Sequence, residues 1–137
     1  MILSEALNKF DTGVLEHLDR DAAVPHVTTA GIQGDVSFLL DQFIVEATTV
    51  VPAAGVAVVR GENGGNTHLL LGDGPVMFDR APVDDDPETT VIGTLTVPEG
   101  STAVLAHPEH GYMSFGVGTW RVGRQREQAD VVAFVED

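Results

Sequence analysis

The stretch HPEHGYMSFGVGTWRVGRQRE, residues 107–127, contains two of the five histidines, the only Tyr, the only Trp and three of the seven basic residues. It can be read as a reaction site, a metal site or the packed end of a β domain. In TWRVGRQRE, the alternation of a regular strand puts Trp120, Val122, Arg124 and Arg126 on one face. Thr119, Arg121, Gln125 and Glu127 then take the other. Trp120 and Val122 have the character of core, so Arg124 and Arg126 leave the core at its rim or sit half-buried beside it. A guanidinium there seeks a planar carboxylate, and the chain offers 21 acidic residues. Arg121, Arg124, Arg126 and Glu127 are therefore candidates for internal salt bridges that pin the last hairpin. The alternatives are contacts with a partner's acidic surface or a small anionic ligand.

Upstream of this stretch the signals are also those of strands. DVSFLL, FIVEATTV, GVAVVR, THLLL, PVMFDR, TVIGTLTV and TAVLA are short runs rich in β-branched and apolar residues, and DVVAFV follows near the end. Gly, Pro, Asn and Asp separate nearly all of them. ENGGN (62–66) reads as a turn, APVDDDPE (81–88) as an exposed acidic loop, and VPEG (97–100) as a tight turn. The expected fold is mainly β, a jelly-roll-like β-sandwich or small barrel over residues 31–137.

Residues 1–30 read as a helical N-terminal segment and linker. Leu3, Leu7, Phe10, Val14 and Leu18 recur at spacings of three and four, which is one apolar stripe on a helix. Gly13 weakens its middle, so two short helices with Thr12 capping the second are the alternative. The stripe can pack on the domain's own sheet or serve as a docking arm. DAAVPHVTTAGIQG then reads as a polar, turn-prone link.

Composition narrows the setting. The net charge is −14, and Lys9 is the only lysine. Such a surface repels a phosphate backbone and an anionic membrane face, so neither nucleic acid nor membrane is expected as a partner. An acid-rich, lysine-poor surface suits a high-salt host, where molar salt shortens the Debye length to roughly 3 Å and screens self-repulsion. The absence of cysteine removes disulfides, thiolate metal sites and Cys nucleophiles. No apolar run reaches transmembrane length and no basic signal-peptide start is present, so a virion or cytoplasmic location is expected.

Catalytic arrangements are weak, and no catalytic residue is assigned. No serine lies in GxSxG, and the glycine pairs lack the strand–helix context and Lys of a phosphate loop. His107 and His110 in HPEH, three residues apart, can direct two imidazoles toward one ion from a turn. His68 can be the third ligand of a divalent metal, with Glu62 or Glu109 supplying an oxygen. Pro108 argues against a helix at this site. The bland reading has these histidines capping turns or facing solvent.

QGDVSFL (33–39), the VP at 51–52, GENGGNTH (61–68), LAHPEHG (105–111) and GTWRVGRQREQ (118–128) together resemble a small family found in bacterial, archaeal and phage genomes. The resemblance spans about residues 32–137. It sets Glu62, Gly65, His68, His107, His110, Arg124, Gln125, Arg126 and Glu127 at motif positions. Asn66 stands where the family has a His, and Trp120 and Gln128 stand where it has Tyr. The resemblance implies that the histidines gather, while Asn66 weakens a metal site. It implies no established activity.

The expected function is a non-enzymatic structural or protein-interaction module without a cofactor. Its setting would be a minor capsid, decoration or other head-associated protein of a haloarchaeal tailed virus. Protein partners, a homo-oligomer and a larger virion assembly go with that reading. A cupin-like metalloprotein using His68, His107 and His110, and a cellular binding module, are the alternatives.

Overall fold

The computed structural model describes residues 1–10, 23–59, 67–82 and 90–124. Helix α1 (Leu3–Phe10) is followed by β1 (His26–Val27), β2 (Ala30–Gln33), β3 (Val36–Leu40), β4 (Val56–Val59) and β5 (His68–Asp73). Then come β6 (Met77–Arg80), β7 (Val91–Val97), β8 (Thr102–His107), β9 (Gly111–Phe115) and β10 (Gly118–Arg124). They form two open five-stranded sheets, ordered β1-β9-β8-β5-β4 and β2-β3-β10-β7-β6. Every pairing is antiparallel except β1 with β9.

The two sheets share one apolar core. Val36, Phe38, Leu95, Trp120 and Val122 of one sheet meet Leu70, Ala103, Leu105 and Phe115 of the other. The rings of Phe38 and Phe115 lie 4.3 Å apart, and Trp120 meets Phe115 edge-on at 5.5 Å. Trp120 is buried yet keeps its polar tip satisfied, because Nε1–H donates to Gly116 O at 3.0 Å. The alternation in TWRVGR thus points Trp120 and Val122 inward and leaves Arg121 exposed.

β8 and β9 are buried on both faces, which explains why they carry little alternation. Ala103 and Leu105 enter the main core, while Val104, Ala106 and Tyr112 turn outward under α1. Leu3 and Ala6 are buried in that second cluster, and Phe10 packs on Tyr112 at 6.2 Å. Leu3 and Phe10 of the proposed docking stripe therefore lie on the domain's own sheet. The Leu7 side chain, Val14 and Leu18 fall outside the described residues.

Three strand assignments need correction. The link at 21–34 contains β1 and β2, so ordered sheet begins inside the segment read as arm and linker. GYMSF is β9. FIVEATTV is not a strand: residues 41–50 cross from one side of the β2-β3-β10-β7-β6 sheet to the other. Its amides go mainly to side chains. Ala47 N donates to Thr96 Oγ1 at 2.9 Å, and Thr48 N and Thr49 N donate to the Asp79 carboxylate at 3.0 and 2.9 Å. Only at its end does the segment join β6, through Phe78 N to Thr49 O and Val51 N to Val76 O, both 2.8 Å. DVVAFV and the ENGGN turn lie outside the described residues, as does most of the acidic loop at 81–88.

Arg80 ties the edge strands β6 and β4 together. Its guanidinium donates to Val58 O at 3.2 Å and to Ala57 O, two carbonyls on β4. Phe38 sits at the centre of the core with no exposure. Phe38→Ala should lower unfolding free energy by about 3–5 kcal/mol through lost burial and a cavity, read from urea denaturation.

Candidate functional site

At one end of the space between the sheets, polar side chains from three strands and two turns converge. Gln33 closes β2 and is buried. Its Nε2 donates to Leu105 O at 3.1 Å and to Gly111 O at 3.3 Å. The amide orientation is thereby fixed, and Oε1 must be the acceptor facing His68 Nδ1 at 2.9 Å. His68 therefore carries its proton on Nδ1, leaving a lone pair on Nε2. Asp35 Oδ1 lies 3.6 Å from that nitrogen.

His107 is committed differently. Its Nδ1 accepts from the amides of Glu109 at 3.0 Å and His110 at 3.2 Å, so the imidazole caps the β8–β9 turn and its proton sits on Nε2. Gly34 lies beneath the group with φ of 60°, and a Cβ there would stand 3.0 Å from His68 Cε1 and 3.4 Å from His110 Nε2. The backbone conformation and the space both call for glycine.

The three imidazoles gather, with ring centroids at 4.4 Å for His68–His107 and His107–His110 and 6.4 Å for His68–His110. They do not converge as ligands. Two backbone donors occupy the lone pair of His107 Nδ1, and metal binding through Nε2 would force a proton onto Nδ1 against them. Among the described residues no group of three His, Cys, Asp or Glu side chains is arranged to hold a metal ion. Glu62, the expected oxygen ligand, is outside them. The metal trio is thus replaced by a hydrogen-bonded polar network.

The arginines divide as their faces dictate. Arg121 donates to Asp41 Oδ2 at 2.6 Å, and Arg124 Nε lies 3.7 Å from Asp35 Oδ2. The second pair is exposed on both sides and contributes little to stability, whereas in the first a half-exposed guanidinium meets a carboxylate that is largely covered. Arg126 and Glu127 lie outside the described residues.

A second site was hidden in FIVEATTV. Phe43 is 100% exposed and Val45 86%, at the apex of the crossover. Asp41 N bonds to Thr119 O at 2.9 Å, and Phe43 N to Asp41 Oδ1 at 3.0 Å. On the far side Ala47 is buried and held by Thr96, whose hydroxyl also meets Thr119 Oγ1 at 3.0 Å. Both feet of the apolar tip are anchored. The sequence signal was an apolar run ending in Thr48-Thr49, residues whose amides and hydroxyl suit a carboxylate as well as a ladder.

The fold and these sites define a two-sheet β domain with an internal polar staple at one end and an apolar projection at the other. Residues 32–125 match the model of a domain of unknown function, DUF8820, and the chain belongs to that family. No curated protein and no solved structure matches the chain.

Burial, then the neighbouring His107, lowers the His68 pKa from 6.5 to about 4, against the opposing pull of Asp35. Because the folded value lies below the unfolded one, neutral His68 stabilises the fold above pH 6.5. That contribution is lost as pH falls toward 4. Its full size is on the order of 3 kcal/mol. Urea unfolding at pH 7 and pH 4 should therefore show a smaller acid loss in His68→Gln than in the wild type. Equal losses would refute the assignment.

Proposed function

We propose that this chain is a non-enzymatic structural and protein-interaction module, built as a jelly-roll-like β-sandwich. The observation that carries the reading is the exposure of Phe43 and Val45 on an anchored crossover. A fully solvated aromatic on a well-held backbone is unfavourable in isolation and is the usual character of a contact centre. The polar network supports the same reading, since its hydrogen bonds tie Gln33, His68 and His107 to backbone and to one another. Those groups hold loops and strand ends in place.

Within this reading the setting is a larger assembly, and we propose a minor capsid, decoration or head-associated role in a haloarchaeal tailed virus. The support is compositional: 21 acidic residues against 7 basic ones, with one lysine, suits molar salt. In its natural source, extracted in molar salt, the chain should travel in a particle well above its own 14.5 kDa. Phe43→Ser with Val45→Ser should return it to its own mass with an unchanged circular dichroism spectrum. A wild-type chain that already runs at its own mass would defeat the proposal.

A further inference from the structure

We infer that the crossover tip docks into a different protein, one that offers an apolar socket with a basic rim. The inference rests on the interaction reading above and names the partner's chemistry. Phe43 and Val45 supply the apolar plug, and their anchored feet mean that little ordering entropy opposes docking. The carboxylates of Asp41, Glu46 and Asp79 lie on or against the crossover. Among the described residues Arg121 lies beside them, and it is already held by Asp41. The surface around the plug therefore carries a surplus of negative charge, which a complementary socket meets with Arg or Lys.

A second copy of this chain does not supply that rim from its described residues. Lys9 is paired with Asp73, and Arg80 is bound to the carbonyls of Ala57 and Val58. Arg121 and Arg124 face Asp41 and Asp35. An anionic bilayer is disfavoured by the same carboxylates. The complementary occupant is a basic-rimmed protein.

The test places a benzophenone amino acid at position 43, and at exposed Val117 as control, in the cells that make the chain naturally. The expected result is one foreign protein joined at 43 and not at 117. That protein, once purified, should bind the wild-type chain, and Phe43→Ser should weaken binding by roughly 30-fold or more. Glu46→Lys should weaken it by a smaller factor, most visibly at low salt. Joining of the chain to itself at 43 would overturn the inference and leave the interaction reading standing, and so would a foreign partner indifferent to Glu46→Lys. Joining to lipid, or no product above the Val117 control, would overturn both.

Discussion

The structure depends on the amide of Gln33. It lies on the edge strand of one sheet and reaches three strands of the other: the end of β5 through His68, β8 through Leu105 O and β9 through Gly111 O. Each of its described bonds is made in a buried setting, where an unmet donor or acceptor is costly. An apolar side chain at 33 would take away the acceptor of the buried His68 Nδ1–H and remove one bond from each of two carbonyls. The amide thus fixes how the two sheets meet at this end, and with it the His68 tautomer. Gly34 and Asp35 follow at once in the chain, so their closeness to His68 comes from the β2–β3 turn itself.

How much of this was legible in the sequence depends on whether a residue's partner was local or distant. Alternation read β10 correctly because Trp120 and Val122 face core while Arg121 faces water. The gathering of His68, His107 and His110 was expected from a resemblance, and their rings do lie together. Their role was not legible, because it turns on which nitrogen the amides of Glu109 and His110 occupy. β9 was missed because both its faces are covered, so no period of two survives. FIVEATTV misled for the opposite reason. Its composition favours a strand, but Asp79 and Thr96, far along the chain, take its amides. Propensity yielded to tertiary hydrogen bonding.

The part of the chain outside the family match has a physical role in this fold. The match covers residues 32–125 and leaves out α1 and β1. Those two elements treat the outer side of the β1-β9-β8-β5-β4 sheet. β1 extends its edge beside β9, and α1 covers Leu71, Val104, Ala106 and Tyr112. A sheet with apolar residues on both faces needs such a cover, and the amphipathic stripe supplies it. Leu3 and Phe10 of the stripe are therefore accounted for by packing on the chain's own sheet, while Phe43 and Val45 on the crossover stay exposed.

The staple and the crossover sit at opposite ends of the β3–β10 pair. Asp35 precedes β3 and faces Arg124 at the end of β10, while Asp41 follows β3, bonds through its amide to Thr119 O near the start of β10 and meets Arg121 at its middle. The five residues of β3 separate the two ends by roughly 17 Å at about 3.3 Å per residue. Over that distance substitutions act almost independently. Polar demands are met internally at one end, where burial makes satisfaction compulsory. Apolar surface stands exposed at the other, beside the carboxylates of Asp41, Glu46 and Asp79. One small core thus carries a hydrogen-bonded interior at one end and an exposed apolar crossover at the other, and neither arrangement constrains the other.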